Sequence, residues 1–259
     1  MHYYAYGFLM TNNTNSGTEQ PSGPQPIFTL PRVVTGLAGV ILVIHLAATL
    51  VFDPATQPIF TVWFAFIPVR IYALADGSAE WLPLLWTPLT HAFLHAGWEH
   101  VLINVAWLAV FGTPVARRYG PVAFLIIFGI SAIVGALFFA LTTLPELQVL
   151  VGASGGISGL TGAAMRFVFQ PVQVAKHPVT GEIVVLGRRL ASMRDLMRNV
   201  RTRTFIVIWV ALNGLAPLLP LLIGSDALPI AWQAHLGGFF AGLLMVPLFE
   251  RKDLTQDLE

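Results

Sequence analysis

The chain has 259 residues, of which 56% are hydrophobic and 10% charged, and its formal net charge is +1. With a mean hydropathy of +0.72 this composition lies outside the soluble globular range, so lipid is the expected solvent for much of the chain. The absence of cysteine excludes a disulfide framework, a thiolate metal site and a cysteine protease.

In chain order, residues 1–32 lack a basic region ahead of an apolar stretch, which argues against a cleavable secretory signal. Their Asn, Thr, Gly, Ser and Pro content between Thr11 and Pro26 predicts a disordered tail. Six apolar segments follow, at roughly 33–52, 98–115, 121–143, 154–170, 204–223 and 232–249, separated by Pro, Gly and charge clusters. The expected fold class is therefore an all-α polytopic membrane protein with six transmembrane helices over residues 33–249, its second and fourth spans short. Residues 250–259 form a polar C-terminal tail.

Charge sets the orientation. Seven of the 14 basic residues, Lys176, Arg188, Arg189, Arg194, Arg198, Arg201 and Arg203, lie between the fourth and fifth segments, so loop 171–203 is expected in the cytoplasm. Alternation then puts Arg117 and Arg118, the tail with Arg251 and Lys252, and the N-terminus on the same side. The acidic stretch from Asp53 to Trp86 falls outside, where Trp63, Trp81, Trp86 and Trp98 suit the interface. Within the basic loop, Ile183 to Leu186 reads as a short strand after a Thr180–Gly181 turn, and Ala191 to Arg203 as a surface helix. Contact with anionic headgroups, rather than with nucleic acid, is the expected use of that charge.

Polar side chains at membrane depth are costly, and each raises a question of function. All 13 acidic residues fall in loops, tails or span edges, which argues against an ion-coupled carrier. His45, His100 with Asn104, the run Gly152-Ala153-Ser154-Gly155-Gly156-Ile157-Ser158-Gly159, Asn213 and His235 remain. The second, fourth and sixth spans all descend from the outside, so His100, Asn104, Ser154 and His235 are expected at one depth. A serine at a helix N-terminus has unpaired N–H groups beside it, a setting that suits oxyanion stabilisation. Small residues four apart, such as Gly152 with Gly156, are equally the usual packing motif of membrane helices. His235, flanked by Ala234, Gly237 and Gly238, is a possible general base for a neighbouring hydroxyl, and with no acid near it the unit would be a dyad. The competing reading is a buried histidine bonded to a carbonyl. His100 and Asn104 are four apart and both can donate to an oxyanion. His91 and His95 repeat that spacing and invite a metal reading, but Ala92 stands where a His-Glu-x-x-His zinc hydrolase needs its Glu, so no metal or cofactor is expected. His45 reads as an interior histidine, and Asn213 as a hydrogen bond between helices.

Together these residues resemble the rhomboid family of intramembrane serine proteases. The resemblance covers residues 33–249 and rests on His91-Ala92-Phe93-Leu94-His95 with His100 and Asn104, on Gly152-Ala153-Ser154-Gly155, and on Ala234-His235 followed by Gly238. It implies Ser154 as nucleophile, His235 as base, and His100, Asn104 and the Ser154 amide as the oxyanion pocket. It further implies transmembrane protein substrates, a loop from Asp53 to Glu99 partly embedded in the outer leaflet, and a gate and cap formed by the fifth span and residues 225–230. A prokaryotic plasma membrane is the expected location. The chain departs from the family pattern at Thr87, at Ala116, at Ile230 and at Ser158. Ser158 stands where the family usually has an aromatic ring against the base, and creates a second Gly-x-Ser-Gly one turn deeper. An inert relative that only binds membrane clients and a small-solute carrier are the competing functions.

Overall fold

The computed structural model describes residues 29–51, 53, 56–176, 181–215 and 230–250. The expected N-terminal tail up to residue 28, nearly all of the 225–230 cap, the end of the fifth segment and the tail beyond Glu250 lie outside the described residues.

α1 (Arg32–Val51) is apolar almost throughout but buries only Val34, Leu37, Ile41 and His45. That three- and four-residue spacing forms one stripe against the rest of the protein, while Val43, Leu46 and Leu50 face outward. The stretch after it is built from short pieces: α2 (Gln57–Phe64), α3 (Ala73–Asp76) and α4 (Thr87–Thr90), joined by 3-10 turns. It is pinned rather than loose. The Trp86 indole N–H donates to the Trp63 carbonyl at 2.8 Å, the two rings stack, and Thr90 donates to the Phe64 carbonyl at 2.9 Å.

α5 (Trp98–Trp107) continues through a π-helical stretch, Leu108–Gly112, into α6 (Thr113–Thr143). Gly120, at φ +80°, breaks α6 just before Pro121, which separates the expected second and third segments where the sequence does. α7 (Ser154–Met165) follows, then β1 (Val172–Lys176), β2 (Ile183–Arg188), α8 (Met193–Arg198), α9 (Val200–Leu215) and α10 (Trp232–Met245). Helix is described in part of each of the six expected segments, the fifth only as far as Leu215. Among the described residues, three helical stretches, Arg32–Val51, Trp98–Thr143 and Trp232–Phe249, are long and apolar enough to cross a membrane.

Three expectations need correction. The fold is not purely α-helical, because the strand expected at Ile183 pairs antiparallel with Val172–Lys176, and Val174 faces Val185 across the hairpin. The expected single helix from Ala191 to Arg203 is two. Asn199 divides them, since its Oδ1 accepts the Thr202 N–H at 3.2 Å and its Nδ2 donates to the Phe169 carbonyl at 3.1 Å. The fourth segment stops as α-helix at Met165 rather than at 170, and Arg166 just beyond is buried. Its guanidinium donates to the Ala191 carbonyl at 2.7 Å and to the Leu243 carbonyl at 2.9 Å, so it joins the end of α7 to the basic loop and to α10.

α7 is the centre of the molecule. Every residue from Gly155 to Met165 is buried. It lies between α6 and α10, whose small residues admit its backbone, and Phe124, Phe128 and Phe239 fill the core around it. On the side of the basic loop, Arg118 pairs with Glu250 and donates to the Arg188 carbonyl, and the Tyr119 hydroxyl donates to Glu250 at 2.7 Å.

Candidate active site

The segment that delivers Ser154 is held by backbone contacts to the short helices before α5. Leu150 exchanges both of its backbone hydrogen bonds with Phe66, at 2.9 and 3.1 Å. The Gly152 N–H donates to the His91 carbonyl at 2.9 Å, and the Ala153 N–H points at His95 Nε2 at 3.4 Å. Gly152 has φ +119°, a conformation that side chains disfavour, and a Cβ there would stand 2.7 Å from His100 Cε1. Only glycine therefore lets the chain pass the His100 ring two residues before α7 begins at Ser154. His91 and His95 are spent on this scaffold, since the His91 ring donates from Nδ1 to the Thr87 carbonyl at 3.0 Å. Among the described residues, no group of three or more His, Asp or Glu side chains is arranged to hold a metal ion.

At the start of α7 the Ser154 hydroxyl meets His235 of α10, with Oγ 2.8 Å from Nε2. On the other side of the imidazole, Nδ1 lies 2.7 Å from Oδ1 of Asn213, which comes from α9. Three helices thus meet at one ring. A hydroxyl held against an imidazole nitrogen is the unit that removes a proton from a serine oxygen. The N–H groups of the first turn of α7 lie beside it without helical partners.

These groups line a cavity of about 560 Å³ bounded by α5, α7, α9 and α10. His100 and Asn104 are on its wall, with Asn104 buried and its Nδ2 donating to the His100 carbonyl at 2.9 Å. The Ala96 N–H, a donor only, points at His100 Nδ1 at 3.5 Å, an arrangement that leaves Nε2 as the nitrogen carrying a proton. Ser158 is on the same wall, one turn deeper than Ser154, and Ile230 borders the cavity just before α10 begins. The four residues singled out by the sequence therefore share one cavity. His45 stands apart, packed edge-on against Trp98 at 4.7 Å.

Asn213 is the residue that sequence reasoning undervalued. Its reading as a bond between helices is right in kind, but the partner is the imidazole facing Ser154. A lone Asn in an apolar helix signals only that some partner exists, and nothing in its spacing names one on another helix. Arg166 was missed for a different reason: it falls inside an apolar segment whose α-helix ends one residue before it.

A membrane protein built around a Ser–His pair at the mouth of a glycine-lined helix is the class that fold and site define. The rhomboid domain matches residues 83–252, and the chain belongs to the rhomboid family. It is 30% identical over 170 residues to the rhomboid protease GlpG of Yersinia pestis, covering 65% of this chain and 49% of that protein. To the rhomboid protease GlpG of Haemophilus influenzae it is 23% identical over 160 residues, covering 62% of this chain and 67% of that protein. YdcA of Bacillus subtilis, which bears the same family name, is 35% identical over 97 residues, covering 38% of this chain and 46% of that protein. The chain thus spans about half the length of two of these three relatives.

Proposed function

We propose that this chain is an intramembrane serine endopeptidase that cuts transmembrane proteins near the outer face of a prokaryotic plasma membrane. The contact between Ser154 Oγ and His235 Nε2 at 2.8 Å carries the reading. It is supported by membership of a family whose matched relatives are named proteases. Six spans, with the basic loop 171–203 and both termini in the cytoplasm, are part of the same proposal.

In the proposed reaction His235 Nε2 takes the proton from the Ser154 hydroxyl as Oγ attacks the substrate carbonyl carbon. The negative charge that develops on the carbonyl oxygen is stabilised by the Ser154 N–H, His100 and Asn104. Collapse of the tetrahedral intermediate breaks the C–N bond, and His235 returns its proton to the departing amine. A water molecule, deprotonated by the same imidazole, then releases the acyl group from Ser154. The substrate must unwind locally, because a peptide bond within an intact helix is shielded by its own hydrogen bonding and packing. The carboxylate census, with every acidic residue outside the expected mid-membrane positions, speaks against a carrier.

The test is cleavage of a fluorescent transmembrane substrate by the purified protein, with labelling by a serine-reactive phosphonate alongside. Ser154→Ala and His235→Ala are expected to abolish cleavage and labelling, and Ser158→Ala to retain both. Cleavage by Ser154→Ala would overturn the assignment, and loss in Ser158→Ala alone would move the nucleophile one turn deeper.

A further inference from the structure

The imidazole of His235 has a second hydrogen bond, and the chain of partners behind it is polar at every step. The Asn213 side-chain nitrogen, Nδ2, donates to the Trp209 carbonyl at 2.8 Å. A carbonyl oxygen can only accept, so this contact fixes which end of the Asn213 amide points away from His235. The end facing the ring is then Oδ1, which also can only accept, at 2.7 Å from Nδ1. Nδ1 must therefore carry the proton of the neutral imidazole. That leaves Nε2 with its lone pair directed at Ser154 Oγ, 2.8 Å away. The protonation pattern that a general base requires is thus dictated, step by step, from a backbone carbonyl of α9.

The register of α9 on α10 is held independently. Trp209 stacks on Phe239 with ring centroids 4.5 Å apart and planes 21° from parallel. Trp209 lies four residues before Asn213, and Phe239 four residues after His235. The two contacts are therefore one helical turn apart on an antiparallel pair, and the aromatic stack sets Asn213 opposite His235. Ser158, a small side chain on the cavity wall, offers the ring no stacking surface. Asn213 restrains the same imidazole from the α9 side.

We infer that Asn213 is a positioning residue for His235. It selects the Nδ1-protonated tautomer and fixes the ring plane, so that Ser154, His235 and Asn213 act as one unit. An amide suits this depth because it accepts a hydrogen bond without burying a charge. The inference rests on the reading of His235 as the base.

The experiment uses the full chain in detergent or liposomes. The expected result for Asn213→Leu is a fall in kcat of about 10- to 100-fold with KM within about two-fold of the wild type, since orientation is lost while the cavity keeps its shape. Asn213→Asp restores an acceptor at the same place and is expected to recover most of that loss. Nitrogen-15 NMR of labelled histidine is expected to show the wild-type His235 protonated at Nδ1, and Asn213→Leu to populate the Nε2-protonated form. Wild-type His235 protonated at Nε2 would overturn the inference even if no variant folds. So would unchanged kcat in Asn213→Leu, or equal losses in Asn213→Leu and Asn213→Asp. A wild-type protein that neither cleaves nor reacts with the phosphonate would remove the protease reading, while the tautomer measurement would still decide the role of Asn213.

Discussion

The backbones of Gly242 and Gly159 approach so closely that a Cβ added to Gly242 would stand 1.9 Å from the Gly159 carbonyl oxygen. Neither side of this contact has a side chain that can swing away. Gly242→Ala must therefore separate α7 from α10, and overpacking of this kind costs about 1–3 kcal/mol or more. A clear drop in Tm in detergent is expected. Gly39→Ala is the control, since nothing lies within 4 Å of a Cβ there. An unchanged Tm for Gly242→Ala would mean that the two helices are not in backbone contact.

Gly152 is expected to matter for activity more than for stability. A methyl group at this position meets the His100 ring and a backbone at φ +119°. Gly152→Ala should displace His100 or shift the start of α7, and activity should fall at least about 10-fold, the scale on which a misplaced catalytic group is felt. Phosphonate labelling of Ser154 should slow as well. Wild-type turnover would show that the loop accommodates the methyl group.

Arg166 joins the ends of two helices and a loop through buried hydrogen bonds. Arg166→Met keeps the length and removes the donors, leaving the Ala191 and Leu243 carbonyls without them. Hydrogen bonds from a charged donor are worth about 1.5–3 kcal/mol each, so a substantial loss of Tm is expected. The same variant should expose loop 171–203 to trypsin. A cleavage rate equal to that of the wild type would show that the loop is held by other contacts.

The basic loop carries its own pH response. Ser192 caps α8 by accepting the Asp195 N–H at 3.1 Å, and its hydroxyl donates to the Asp195 carboxylate at 2.8 Å. The Ser192 hydroxyl, then its backbone N–H, hold the Asp195 carboxyl below its ordinary value of 3.8. A lowered folded pKa means that this contribution is complete above the ordinary carboxylate range and is lost as pH falls through the folded value. Amide exchange in 193–198 should be insensitive to carboxylate titration near neutrality, with protection lost only in acid. Ser192→Ala should weaken α8 at all pH values, by about 1 kcal/mol for a lost N-cap. Equal exchange in both proteins at neutral pH would count against the cap.

Where the sequence was legible, the reason is physical. Ser154 and His235 stood out because glycine and alanine around them mark close helix contact, and the break before Pro121 followed from the chemistry of proline and glycine. What stayed hidden depends on pairing across the fold. β1 is five residues long and its alternation is confined to Val172, Gln173 and Val174, too short to announce a strand without β2. Asn199 ends one helix and caps the next, a role that apolar periodicity does not register. Asn213 became intelligible only when α9 was seen against α10.

Since α7 is enclosed by protein along its whole length past Ser154, its small and polar residues never had to satisfy a lipid environment, and a hydropathy profile underrates it for that reason. α9 is the opposite case, with Val207, Ile208 and Leu212 exposed on its outer side. Acyl-chain length and headgroup composition should therefore act on this protein through the helix that supplies Asn213, while the helix that supplies Ser154 stays insulated from the bilayer around it.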